Sequence, residues 1–566
     1  MASDELTDEA LSGPVVDRRT TTALLGAAGL GGLAGCLGGG GDDGGDGETD
    51  ASGGDSGGDD GGDTEETTAP PEDKQGGRLQ AGWFTGSIED LDPPYISVGQ
   101  YFQLAANVFS GLTTFNSDLT IRGDLAEDWT VEDGGATFTF QLRDDVTFHN
   151  GAEFTADDVL YTIRRTIEEE APAASKLSTL QPIDEGGVEV GGDYEVTVRF
   201  EDPNAVALVY LSRGPGRAAT IVSQDAIEEM GAEQYNVTPV GTGPFQVVDH
   251  EVGTSVTLDA YDDYFETDED GNALPYLDGI DVQPIPEPSS IVNALRSGDI
   301  HFSNLLPLQN LSEIESSDEA VASAQPGINW TGFAMNQNRE PFGSRDARLG
   351  IAKSIDNEAF VEAAYFGNAL PDNGVISKGT AWAWREDKPD TQAHAPEEAQ
   401  ELLESSGAEG ASFSILANSG NLRAAKAMRQ QLNSAGFDVD IDQVTSSTYW
   451  SRYAELDYDV TISGSIIDPD PEQGLWNFYR LPDEGGVWNW VDYESQEVHD
   501  MLAEQRSTMD REERKGILHD IEDQLIEDVP HAYLVHQDDI AGVRNEVKGF
   551  NHIPGLRNFH TVYLDE

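Results

Sequence analysis

Cysteine occurs once in 566 residues, at Cys36, which excludes intramolecular disulfides and cysteine-rich zinc sites. Positive charge is scarce as well: 32 Lys and Arg stand against 106 Asp and Glu, a formal net charge of −74 and a pI near 4.1. No basic patch exists to meet phosphate, so nucleic-acid binding is excluded. No apolar run reaches the roughly 18 residues of a conventional membrane span. The phosphate loop G-x-x-x-x-G-K-[ST] is missing, so any ATP hydrolysis must belong to another chain. H-E-x-x-H is missing too, and the ten histidines are scattered.

What the chain has in excess is carboxylate, spread along its whole length. At low salt these groups repel one another. In about 1 M salt the screening length falls to roughly 3 Å and the repulsion is mostly removed. The composition reads as adaptation to a very salty medium.

The single cysteine has a setting that explains it. Arg18 and Arg19 precede an uncharged stretch, residues 20–35, rich in Ala, Gly, Leu and Thr. That stretch is too short and glycine-rich to span a bilayer as a stable helix. A twin arginine before a mildly apolar segment reads as an export signal for folded proteins. Leu33-Ala34-Gly35-Cys36 looks like a lipobox, which implies cleavage before Cys36 and a lipid on its thiol. Residues 1–35 are therefore expected to be a twin-arginine lipoprotein signal, although the region before the arginines is acidic where a basic one is usual. Residues 36–76 are mostly Gly, Asp, Ser, Thr and Glu, cannot form a core, and read as a disordered tether.

From Arg78 the composition becomes globular. Period-two alternation predicts strands over 137–142 and 195–200. Thr155 is placed to cap a helix carrying Val159, Ile163 and Ile167 on one face. Pro396 opens a helix stopped near Gly407, and a second helix with Ala425, Met428 and Leu432 ends at Gly436 before a strand at 437–441. One long helical region is expected over 495–528, ahead of Pro530. Such helix–strand alternation predicts an α/β fold of at least two lobes.

Motifs for catalysis fail on context. The G-x-S-x-G match at Gly54-Asp55-Ser56-Gly57-Gly58 lies in the tether, and the dinucleotide-like Gly214-Pro215-Gly216 carries a proline inside its turn. Asp268-Glu269-Asp270-Gly271-Asn272 lacks the glycine and glutamate placement of a calcium loop. Asn236, Asn310 and Asn329 open glycosylation sequons. A secreted hydrolase needs a nucleophile–base pair or a metal cluster, and neither is found, so no enzyme activity, metal or cofactor is expected.

Several segments, in order along the chain, resemble one family. Asp90-Leu91-Asp92-Pro93, Asn107-Val108-Phe109-Ser110-Gly111-Leu112 and Leu125-Ala126-Glu127-Asp128-Trp129 come first. "FTFQLRDDVTFHNGAEFTADDV" (138–159), "PVGTGPF" (239–245), "FAMNQNREPFGSRDARLGIAKSID" (333–356) and "DREERKGILHDIEDQLIEDVPHAYL" (510–534) follow. Together they are similar to the family 5 solute-binding proteins of ABC importers, the oligopeptide, dipeptide and nickel-binding type. Taken singly, most of these motifs read as turns, capped helices and core aromatics.

The resemblance implies a two-lobed, periplasmic-binding-protein-like clamp of the large peptide-binding class, with a hinge. Lobe I would take residues 77–300 with an extra subdomain, lobe II 301–532, and 533–566 would return to lobe I, with crossings near 299–306 and 530–537. It implies a lipid-anchored receptor on the outer face of the cell membrane, a monomer, capturing oligopeptides or dipeptides for a membrane permease with separate ATPase subunits. A non-peptide solute, such as an oligosaccharide or nickel chelate, and a role as adaptor for a sensory transducer stay open.

In "YDVTISGSIIDPDP" (458–471), Asp468 falls on the family's aspartate for the peptide ammonium group. Its plainer alternative is capping the turn before Pro469. Ser465 stands where many peptide binders have tryptophan, and Ile462 where some have an arginine for the peptide carboxylate. Trp450 matches a pocket-lining tryptophan, with a core role as the alternative. Trp382, Trp384, Tyr95 and Tyr101 are further candidates for aromatic walls.

Overall fold

The computed structural model describes residues 74–96, 98–213, 218–464, 469–482 and 488–565. Arg18, Arg19, Cys36, the G-x-S-x-G match, residues 214–217, Ser465 and Asp468 lie outside the described residues.

One strand organises the molecule. His531–Arg544 runs for 14 residues, and its backbone hydrogen bonds are divided between two sheets. Its first half pairs antiparallel with Thr331–Met335 and Ala369–Pro371. Its second half pairs with Ala320–Pro326 and Phe302–Ser303. Apolar residues carry it through both cores, from Ala532 to Val535 at one end and from Ile540 to Val543 at the other.

The first sheet continues from Phe302–Ser303 to Arg78–Trp83, Gly279–Pro284, Ser255–Ala260 and Phe245–Glu251. A separate four-stranded antiparallel sheet runs in the order Ala126–Glu132, Thr137–Leu142, Glu195–Arg199, Val188–Gly192. Helix Ala156–Glu168 packs on it through Val159 and Ile163. Thr155 caps that helix as expected, its N–H donating to Asp158 Oδ2 at 3.0 Å.

The second sheet places Asp438–Gln443, Ser412–Ala417 and Val460–Gly464 side by side and parallel, then Thr331–Met335 antiparallel. Helices Pro396–Ser406 and Leu422–Ser434 form as their patterns predict, the first closed by Gly407 at φ 75°. The expected single helical region at the C-terminal end is two helices, Gln496–Ser507 and Arg511–Asp528. The break has a local cause. Thr508 is extended, and the Asp510 carboxylate accepts from the N–H groups of Glu512 and Glu513, starting a new helix.

Three of the matching motifs hold one another in place. A Cβ on Gly241 would sit 2.0 Å from the Val108 carbonyl oxygen, and one on Gly243 2.6 Å from its carbon. Only glycine permits that approach. His149 closes the set, its N–H donating to the Gly241 carbonyl at 2.9 Å and its Nε2 lying 2.9 Å from the Gly243 carbonyl. These segments are structural here. The sequon asparagines Asn236 and Asn329 are likewise engaged, accepting backbone N–H bonds from Leu91 and Asp92 and from Gln537.

Burial pushes His149 and His560 down to about 4 and His531 to about 3. Below its ordinary value near 6.5 each imidazole gains a proton in the unfolded chain before it does in the folded one. Stability therefore falls as pH drops from about 6.5, at up to about 1.4 kcal/mol per pH unit for each histidine. Burial pushes Asp124 up to about 6 and raises Asp92, Asp158, Glu522 and Asp538 as well, which offsets part of this loss. In high salt, the denaturant midpoint should be lower at pH 5 than at pH 7, and His149→Asn should remove about one proton from that dependence. Equal midpoints at the two pH values would overturn this reading.

Candidate functional site

The three parallel strands of the second sheet end together, and ligands of open α/β sheets bind outside such carboxyl ends. Strand Val460–Gly464, wholly buried, leads directly into residues 465–468. Its alternation explains how it is held. Val460 and Ile462 face the apolar core, while Thr461 and Ser463 face helix Ser446–Ala454. From that helix the Tyr449 hydroxyl donates to the Ile462 carbonyl at 3.0 Å and lies 3.0 Å from Thr461 Oγ1. Tyr453 donates to Ser463 Oγ. Burial pushes both phenols up, keeping them neutral donors.

Trp450 leaves the same helix half buried, its ring centroid 4.8 Å from Tyr449 and 6.2 Å from Trp490. Trp382 and Trp384 pack against the same aromatic cluster. The Arg511 and Arg514 guanidiniums lie 4.7 and 5.3 Å from the Trp382 ring. Trp384 Nε1 is 3.4 Å from Asp372 Oδ2, which also accepts from Lys388 at 2.7 Å. The three tryptophans thus pack against one hydrophobic cluster of the second lobe.

The two tyrosines are elsewhere. Tyr101 is buried in the core of the first lobe, its hydroxyl 3.3 Å from Ser87 Oγ. Tyr95 donates to Glu169 and stacks under Arg165, 5.2 Å from its ring. Arg165 in turn holds Asp92 through a buried bidentate pair at 3.0 and 2.6 Å. The aspartate of the "LDP" motif is a strut.

Residues that sequence reasoning missed stand just past Asp468. Asp470 binds Arg514 bidentately at 2.7 and 2.6 Å, and its Oδ1 accepts the Glu472 N–H, fixing the start of helix Glu472–Tyr479. Burial pulls the Arg514 pKa down, but the Asp470 charge more than offsets this and holds it above the usual value. Glu472 has no exposed surface. It accepts a hydrogen bond from Tyr210 of the first lobe and lies 3.5 Å from Arg506 Nε. Lys176, also of the first lobe, donates to Gln473 Oε1 at 3.3 Å, and the Ala205 N–H to the Arg506 carbonyl at 2.8 Å. The lobes therefore meet beside residues 465–468. The only sequence trace of this seam is the acidic spacing of Asp468, Asp470 and Glu472, indistinguishable from solvated acid elsewhere in the chain.

The profile described as bacterial extracellular solute-binding proteins, family 5 Middle, matches residues 120–486. Among curated proteins, the oligopeptide-binding protein AppA of Bacillus subtilis is 24% identical over 513 residues, covering 85% of this chain and 90% of its own length. Among solved structures, the ABC transporter-associated periplasmic binding protein DppA of Helicobacter pylori, in complex with peptide STSA, superposes with a TM-score of 0.76 at 22% identity, over 88% of this chain and 99% of that one. The binding protein AgaA of A.tumefacien R10, in complex with agropinic acid, gives 0.71 at 24% identity, over 87% and 99%. The structural likeness establishes the fold, a two-lobed clamp.

Tyr210→Phe removes one hydrogen bond to a buried carboxylate, worth roughly 1.5–3 kcal/mol. The closed arrangement should lose that much relative to an open one. Small-angle scattering of the ligand-free variant should show a larger radius of gyration than the parent, and identical curves would mean that this contact does not hold the lobes together.

Proposed function

The chain belongs to the extracellular solute-binding proteins of family 5, and on that premise we propose that it is a lipid-anchored receptor capturing oligopeptides or dipeptides outside the cell. Cys36 carries the lipid after export directed by Arg18 and Arg19, and the receptor works in a very salty medium as a monomer. Closure then presents the solute to a membrane permease whose separate subunits hydrolyse ATP.

The observation that carries this reading is the seam itself. Two lobes that share one strand meet at Tyr210–Glu472 and Lys176–Gln473, a few residues along the chain from Asp468. A clamp of this kind captures without chemistry, and a ligand shifts it only by making contacts that differ between open and closed states. In the proposed mechanism the Asp468 carboxylate meets the peptide ammonium group, a charge that needs a cationic partner once water is excluded. Trp450, with Trp382 and Trp384 beyond it, supplies aromatic surface that accepts varied side chains. On the first lobe, Tyr95 and Tyr101 are the candidates for aromatic surface facing the solute. The peptide held by the Helicobacter pylori relative supports this choice of ligand.

One observation favours a second reading within the family, a non-peptide solute. Ile462 is 3% exposed in an apolar core, so that position offers no charge to a peptide carboxylate. The agropinic acid held by the Agrobacterium relative supports keeping this reading open.

Native mass spectrometry decides between the two, on protein with Cys36→Ser to prevent lipidation, purified in high salt without refolding. A ladder of peptide masses is expected, whereas a single sugar or metal-chelate mass would transfer the assignment to the second reading. Asp468→Ala should weaken binding of free-amino peptides by about tenfold or more, the cost of an unpaired ammonium group. Unchanged titration calorimetry would remove Asp468 from the site.

A further inference from the structure

Three Asn-x-Ser/Thr sequons occur in the chain, opened by Asn236, Asn310 and Asn329, and solute capture uses none of them. A glycosyl transferase has to reach both the asparagine carboxamide and the hydroxyl two residues on. Each sequon is therefore only as accessible as the backbone that holds it, and the fold holds the three very differently.

Asn329 is closed on both counts. Its Oδ1 accepts the Gln537 N–H at 3.2 Å and its carbonyl accepts from His536 Nδ1 at 2.7 Å, both on the shared strand. The hydroxyl of its sequon belongs to Thr331, 1% exposed, which is paired with Gly464 on one side and Val535 on the other. Reaching it means opening the middle of the second sheet. Asn236 is committed to structure. Its Oδ1 accepts from the Leu91 and Asp92 N–H groups, each at 3.0 Å, and its Nδ2 donates to Asp90 Oδ1 at 2.9 Å. Withdrawing it leaves two buried residues, Leu91 and Asp92, without an acceptor for their N–H groups.

Asn310 is held by much less. It closes the 3-10 turn Leu308–Asn310 and stands just before the five-residue helix Leu311–Glu315. Among the described residues its carboxamide makes one contact, Nδ2 donating to Glu313 Oε1 at 2.6 Å. Glu313 is itself a surface group, in a half-exposed pair with Arg296 at 3.4 Å, and such pairs add little stability. Ser312, the hydroxyl of this sequon, is exposed. A helix this short, anchored through Leu311 and Ile314, opens locally at small cost.

We propose that Asn310 is an N-glycosylation site, modified by transfer from a lipid-linked oligosaccharide after the folded chain has crossed the membrane, while Asn236 and Asn329 stay bare. This rests on the reading of the chain as exported by a twin-arginine signal, a route for proteins already folded, so that the transferase meets this surface and not an extended chain. In the transfer, Asn310 Nδ2 bonds to the anomeric carbon of the first sugar. The bond from that carbon to the phosphate oxygen of the lipid breaks, the lipid phosphate leaves, and the amide proton goes to a base of the transferase. The glycan hydrates the surface through its hydroxyls, which salt does not screen.

Glycopeptide mass spectrometry of the full chain tests this, on protein isolated from membranes of a high-salt host that N-glycosylates its own exported proteins. Asp118→Thr supplies the control, since it completes a sequon at Asn116, exposed in the turn between strands Thr113–Phe115 and Ile121–Gly123. Glycan is expected on Asn310 alone in the parent and on both Asn310 and Asn116 in Asp118→Thr. Asn310→Gln and Ser312→Ala should each lose the whole glycan mass. A bare Asn310 beside a glycosylated Asn116 would overturn the site and leave the export reading standing. Both asparagines bare in Asp118→Thr would overturn the export reading and the site with it. Glycan on Asn236 or Asn329 would overturn selection by the folded surface, since those sequons open only in an unfolded chain.

Discussion

The backbone ladder of His531–Arg544 is the constraint on which the rest depends. A strand must satisfy its N–H and C=O groups along its length. This one does so by belonging to two sheets in turn, so the lobes cannot separate without breaking its bonds. Its partners change over the few residues near 535–538. The tyrosine hydroxyls of a neighbouring helix fix strand Val460–Gly464, the last described element before residues 465–468.

Acid excess shapes the interior as well as the surface. With few cations available, the structure places arginines where burial makes a pair strong: Arg165 with Asp92, Arg514 with Asp470, Arg557 with Asp539. Removing one partner from such a pair leaves a buried charge, which costs far more than the pair contributes when intact. Some surface carboxylates have arginine partners, as Asp259, Glu189 and Asp457 do, but 32 cations cannot serve 106 acids, and the rest depend on external salt for screening. Arg423 departs from this pattern, with its guanidinium over the Phe366 ring and no acid paired with it among the described residues.

Much of the fold was legible because local signals agree with tertiary structure. The Thr155 cap, the helix from Pro396 to its stop at Gly407, and the strand at 137–142 all formed where pattern and capping chemistry placed them. The break at Thr508–Asp510 was not read, because apolar spacing continues across it and only the capping role of Asp510 interrupts the helix. The candidate site was legible only on one side. Tryptophans of the second lobe cluster because aromatic residues near one strand tend to share one core. The seam was not legible, since Tyr210 meets Glu472 and Lys176 meets Gln473 across 262 and 297 residues of chain, and nothing local marks a carboxylate destined for burial.

The shared strand also dictates when the molecule can fold. The sheet of the first lobe contains Arg78–Trp83, the first strand of the globular part, yet its edge beside Phe302–Ser303 is completed by residues near the C-terminus. The second lobe waits for the same strand. Neither lobe is finished until the end of the chain has been made, and contacts this distant in sequence form slowly. A chain so ordered has to be kept soluble through synthesis, which its high net charge favours.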